Sequence, residues 1–167
     1  RTVIAAAGIS EAKGRPRPVL LPVGLHYRVR HHWRTDCWIE YGEPLEIPDS
    51  AVDEELVSIL KAGDWREPKA EAVLSLRDSL NERLAPMTPN APDWNTHRAW
   101  HILGHLRSRA EGMPPADWRE EVLAARRERD RQSLDADDEL MAKANKVATT
   151  LDENRLDGRD LTQDGEL

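Results

Sequence analysis

Four groups of side chains in this sequence have types and spacings that chemistry could use. In His31-His32-Trp33-Arg34-Thr35-Asp36, a histidine precedes an aspartate by five places. An imidazole can take a proton from a hydroxyl while a carboxylate orients its ring. Geometry and role define such a pair, though, and in a chain with 33% charged residues the spacing also arises by chance. His97, His101 and His105 recur every four residues. At about 100° per residue they share one side of a helix, opposite Ala99, Ile102, Leu103 and Leu106, with Trp94 nearby. Two histidines so spaced can chelate a transition metal. No acid lies among them, and three in line on a straight helix do not converge on one ion, so they read as a solvated polar face and no metal site is expected. Cys37 would be a nucleophile only beside a base that stabilises its thiolate, and it reads as a small apolar filler within a strand. The fourth group is basic. Residues 15–34 hold Arg15, Arg17, Arg28, Arg30 and Arg34 and no acid, interleaved with His26, Tyr27, His31, His32 and Trp33. Such a patch suits a phosphate-bearing ligand or an anionic membrane surface, with a solvated loop as the plain alternative.

These groups sit in a chain of 167 residues, long enough for one domain with a core. The apolar fraction of 39% and mean hydropathy of −0.70 are lean, Phe is absent, and six Trp carry most of the aromatic bulk. That balance favours long solvated helices around a small core. No apolar run approaches the ~20 residues that span a bilayer, and no signal peptide is visible. One cysteine excludes an internal disulfide and suits a reducing compartment. Charge is uneven: residues 1–48 hold seven Lys/Arg against five Asp/Glu, net +2, and the remainder 17 against 26, net −9. A total of −7 fits a nucleic-acid binder poorly, and none is expected as a partner. The absence of Gly-x-Ser-x-Gly, P-loop, dinucleotide and Cys-rich zinc patterns counts against hydrolase, NTPase and dehydrogenase chemistry, and no cofactor is implied.

The elements that must position the four groups follow from punctuation and periodicity. Residues 1–13 read as the end of a helix stopped by Gly14, with Pro16 and Pro18 beyond. Val19-Leu20-Leu21-Pro22-Val23 is a continuous apolar run of the kind buried on both faces in a parallel sheet, with Pro22 at the strand's end. Cys37 to Tyr41 is a second strand closing on Gly42-Glu43-Pro44. Asp49 or Ser50 caps a helix over 51–62, with Asp53, Glu54 and Glu55 in its first turn and Gly63 as its stop. Val73, Leu76, Leu80 and Leu84 line a second helix from Pro68 to before Pro86. Asp93 caps a third to about 111, and a long charged helix runs from 117 to about 148. From Leu151 the acidic, Gly-dotted chain is expected to be frayed or disordered.

Three pieces taken together resemble the glycerolipid acyltransferases of the 1-acylglycerol-3-phosphate and glycerol-3-phosphate type. Val19-Leu20-Leu21-Pro22-Val23-Gly24-Leu25-His26-Tyr27 is similar to that family's fourth block. Trp33-Arg34-Thr35, leading into Trp38-Ile39-Glu40-Tyr41-Gly42-Glu43-Pro44-Leu45, is similar to its aromatic-Arg-Ser, strand, Phe-Gly-Glu-Pro-Ile pattern. Leu80-Asn81-Glu82-Arg83-Leu84 with Thr88-Pro89-Asn90-Ala91-Pro92-Asp93-Trp94 resembles a stretch downstream of it. The resemblance covers about 18–48 and 74–106, and residues beyond about 115 match nothing in it. It implies an α/β fold: the C-terminal part of an acyltransferase α/β sheet domain over 1–48, a helical extension packed on it over 49–112, and a charged helix with an acidic, partly disordered tail over 113–167. In this family a His-x4-Asp pair precedes the phosphate-binding blocks, whereas here the His31/Asp36 spacing follows the Val-Pro-Val segment. That pair is therefore read as coincidence, the catalytic block is expected upstream of Arg1, and the chain alone is expected to be inactive.

The same resemblance implies a fatty acyl donor, acyl-CoA or acyl carrier protein, and a glycerol-phosphate acceptor. It implies phospholipid synthesis by a peripheral protein at the cytoplasmic face of a membrane. Val19, Leu20, Leu21, Pro22 and Val23 would pack beside the acyl site, with Arg28 and Arg34 assisting phosphate or head groups. The alternative from the residues alone is a non-catalytic helical interaction module, which the charged stretch from 117 to 148 supports.

Overall fold

The computed structural model describes residues 1–28 and 33–162. The chain folds as two compact units, Arg1–Gly24 with Glu40–Met87, and Leu25–Ile39 with Thr88–Leu167.

In the first unit, helix α1 (Thr2–Ala12) ends as Gly14 takes φ +64°, the left-handed value that glycine adopts without penalty. Helix α2 (Glu54–Lys61) follows a 3₁₀ turn at Asp49–Ala51. Its cap is Asp53, whose carboxylate accepts the Leu56 N–H at 2.7 Å, rather than Asp49 or Ser50. Asp53 wins because Lys69 and Arg66 also bind its carboxylate. Helix α3 (Ala70–Leu84) runs as its Leu spacing requires. Ile4, Ala7, Ile47, Ala51, Val52, Leu56, Val57 and Leu76 form the core, with Leu20 and Leu45 packed against it.

The first strand differs from expectation. Strands β1 (Val23–Tyr27) and β2 (Cys37–Tyr41) form a two-stranded antiparallel sheet, not part of a parallel one. Residues 19–23 contribute only Val23 to it, plus an antiparallel bridge from Leu20 to Leu45. Val19, Leu21 and Val23 face out, Leu20 is half-buried and Pro22 is buried. Pro22 precedes the strand, where its missing N–H is not required and its carbonyl accepts from Gly42 N–H at 2.9 Å. The backbone bonds from Arg28 to Asp36 and from Gly42 to Pro22 share one register, while Leu20 and Leu45 are offset by one residue on the β2 side. The Glu43-Pro44 turn absorbs the extra residue as a bulge does.

The second unit is a helical layer centred on α4 (Trp94–Ala110), which packs against both α5 (Trp118–Leu134) and α6 (Asp138–Glu153). Asp93, Asp117 and Asp137 cap these helices through the N–H groups of Thr96, Glu120 and Leu140. The charged stretch thus makes two helices where one was expected: Asp137 caps a fresh start after Leu134, and its own N–H donates to Gln132 Oε1. Ala99, Ile102 and Leu103 of α4 pack on Ala144, Ala148 and Leu151 of α6. A 3₁₀ turn at Gly158–Thr162 follows. Across the other side of α4, Gly104 lets the backbones of α4 and α5 approach so closely that a Cβ would lie 2.5 Å from the Ala124 carbonyl. Among the described residues no helix is long and apolar enough to cross a membrane.

Candidate functional site

The histidine face of α4 is packed, not solvated. His97 stacks on Trp94 at 5.0 Å between ring centroids and meets His101 at 4.7 Å. His101 in turn lies parallel to Trp118 of α5, at 5.4 Å and an interplanar angle of 4°. Burial lowers the His97 imidazole below its ordinary value. Burial first, then the neighbouring His97 and His26, lowers His101 to about 3, although an edge of it stays open to solvent. Both rings are therefore neutral near pH 7. They edge a cavity of about 230 Å³ lined also by Leu25, His26, Tyr27, Thr88, Pro89, Trp118 and Val122. These two rings offer it stacking and neutral hydrogen bonds rather than a cation. The expectation of an apolar opposite side holds for Ala99, Ile102 and Leu103, while Leu106 is exposed.

His105 is buried, and its Nδ1 lies 2.7 Å from Glu121 Oε1. Burial pushes the Glu121 carboxyl up, opposed by that bond. Two turns on along α5, the fully buried Glu128 lies 2.9 Å from Arg107 Nε and accepts from Gln132 Nε2. These two acids escaped the sequence reading. The signal was Trp118, Glu121, Val122, Ala125 and Glu128, a helical face on which carboxylates hold interior positions. Among the described residues no cluster of three or more His, Cys, Asp or Glu suits a metal ion.

Beside the ladder, His26 stacks on Trp38 at 4.8 Å, and Arg119 and Arg126 lie over the Trp38 ring at 5.7 and 5.4 Å. Trp118 Nε1–H donates to the His26 carbonyl at 2.8 Å. Arg28 is engaged by Asp157 and lies 3.9 Å from Asp36, which also faces Arg159 at 3.6 Å. Asp36 is thus tied into arginines, and its sequence partner His31 lies outside the described residues. Arg34 is exposed, with φ +60°. Cys37 is exposed rather than a core filler, because its strand position faces out. In the first unit, Val19 lines a concavity of about 360 Å³ with Arg17, Pro18, Glu46, Ile47 and Asp49. Arg17 is there committed to Glu11 and Asp49, so an anion would compete with two carboxylates.

With this geometry in view, comparison with known proteins relates the chain to acyltransferases. It is 34% identical over 77 residues, 46% of its length, to an uncharacterized acyltransferase of Schizosaccharomyces pombe. It is 30% identical over 94 residues, 56% of its length, to glycerol-3-phosphate O-acyltransferase 2 of Saccharomyces cerevisiae. The matches span 10% and 11% of those proteins, about a tenth of each. No protein-family model matches the chain, and no solved structure matches it.

Proposed function

We propose that this chain is the part of a glycerolipid acyltransferase that follows its catalytic blocks. The enzyme moves a fatty acyl group from acyl-CoA or acyl carrier protein to a glycerol-phosphate hydroxyl in phospholipid synthesis. It works as a peripheral protein at the cytoplasmic face of a membrane. The observation that carries this reading is the similarity to two acyltransferases, one of them named for glycerol 3-phosphate.

A general base taking the hydroxyl proton is worth about 10²–10⁴-fold in such a reaction. The described imidazoles are poor candidates for it: His105 is buried on Glu121, His26 is stacked on Trp38, and burial makes the stacked His97 and His101 weak bases. The chain's own contribution is positional. Residues 19–23 offer Val19, Leu21 and Val23 as an exposed apolar edge beside the acyl chain, with Leu20 and Pro22 anchoring the segment. Arg34 is the accessible cation for a phosphate or head group, whereas Arg28 would first have to release Asp157. The rival, a helical interaction module without catalysis, is favoured by one observation, the helical second unit with its committed imidazoles.

The purified 167-residue chain, given radiolabelled acyl-CoA and glycerol 3-phosphate, should form no labelled lysophosphatidate. Its encoding reading frame should contain a His-x4-Asp block ahead of the Val-Leu-Leu-Pro-Val segment. Transfer by the chain alone would place the chemistry within it, and a frame lacking that block would favour the interaction module.

A further inference from the structure

We propose that the outward face of the β1–β2 hairpin, as it lies in the second unit, docks on an anionic lipid bilayer. The inference rests on the peripheral-membrane part of the reading above and names the surface responsible. Its basis is a strand whose polarity is inverted. In β1, His26 turns inward onto Trp38, while Leu25 and Tyr27 turn outward, 55% and 46% exposed. The register set by the Arg28–Asp36 bond places Leu25 opposite Ile39, itself 49% exposed, on the same face. Trp33, 90% exposed, and the exposed Arg34 lie in the connection between the strands. A fold optimised for water alone would bury Leu25 and Ile39 and expose His26.

Charge selects the occupant. Among the described residues of this stretch Arg28 is engaged by Asp157, and the exposed Arg34 is the cation left beside the apolar face. The Asp36 carboxylate is turned to Arg28 and Arg159. An anionic bilayer attracts the Arg34 guanidinium beside this face. Tyr and Trp rings suit the headgroup level, with Leu and Ile beneath them. A second copy on this face would bring two Arg34 guanidinium groups together, and a nucleic acid would gain nothing from Leu25 and Ile39.

The test is co-sedimentation of the 167-residue chain with phosphatidylcholine vesicles, with and without phosphatidylserine. The chain should bind the phosphatidylserine vesicles, and salt should weaken that binding. The Leu25→Asp/Ile39→Asp double variant changes only outward side chains and should keep its far-UV circular dichroism. It should bind about tenfold or more weakly. Arg34→Glu should lose most of the preference for phosphatidylserine, and Leu74→Asp, exposed on α3, should change nothing. Undiminished binding by the folded double variant would overturn the hairpin assignment and leave the peripheral reading standing. No binding to either vesicle by the unmodified chain would overturn both. A concentration-dependent dimer abolished by the double variant, without vesicle binding, would identify a second copy as the occupant and overturn the proposal. Acyl transfer enters none of these readouts.

Discussion

Replacing Gly104 with alanine sets two effects of known sign against each other. Alanine in a helix interior is favoured over glycine by about 1 kcal/mol. Here its Cβ would lie 2.5 Å from both C and O of Ala124 and 2.8 Å from Ala125 N, whereas ordinary contact begins at 3.4 Å. The obstacle is backbone, so no side-chain rotation relieves it, and α4 and α5 must part by most of an ångström. Overpacking of this kind costs about 1–3 kcal/mol, and a backbone clash belongs at the upper end or beyond. The net expectation is a loss of about 2 kcal/mol and a thermal midpoint lower by about 4–8 °C. Far-UV circular dichroism during thermal and urea unfolding reads this directly. Near-UV circular dichroism should change too, since the His101–Trp118 stack bridges the same two helices. A Gly104→Ala protein as stable as its parent, with an unaltered near-UV spectrum, would refute the close approach and the ladder built on it.

His101 should show no titration between pH 5 and 8 by NMR. Its folded value is depressed while the unfolded imidazole titrates near 6.5, so the stability from keeping it neutral is present above that pH. That contribution falls away as pH drops toward about 3, and His101→Asn should flatten the acid side of a stability-against-pH curve. Glu121→Ala leaves the His105 Nδ1 unpaired in the interior and should cost about 2 kcal/mol by urea denaturation, with Glu121→Gln costing less. Asp53→Ala removes a cap and the anchor of Lys69 and Arg66, and should cost about 1 kcal/mol. Lys69 and the Leu56 N–H hold the Asp53 carboxyl below its ordinary range, so its contribution is present above about pH 4 and lost as pH falls through the lowered value, which an acid titration of unfolding checks.

What was legible in the sequence was local. Asp93 ahead of an apolar-periodic run, Gly14 and Gly63 past the last turns, and Leu76 and Leu80 at helical spacing each carry their own physics, and α1, α3 and α4 stand where those signals put them. The break between α5 and α6 carries neither Gly nor Pro, and its only mark is the acid cluster that supplies the Asp137 cap. Residues 19–23 misled because a continuous apolar run is the usual mark of a strand buried on both faces. Here alternate side chains face water instead, and β1 buries Gly24 and His26 beneath an apolar outer face. The histidine face misled for a different reason. Periodicity places three imidazoles on one side of α4 but says nothing of what lies opposite. That partner, Trp118 and Glu121 of α5, is set by the Gly104 contact between helices. The acyltransferase relationship came from motif order and survives the correction of the strand, because the similarity to known acyltransferases is independent of it.

The central claim, that this segment serves an acyltransferase, is tested most directly by exchange. The stretch of Saccharomyces cerevisiae glycerol-3-phosphate O-acyltransferase 2 that matches this chain over 94 residues would be replaced by this chain's own residues. Acylation of glycerol 3-phosphate would then be measured on the folded chimera. Activity within about tenfold of the parent is the predicted result. A chimera that folds and binds acyl-CoA but transfers nothing would contradict the account.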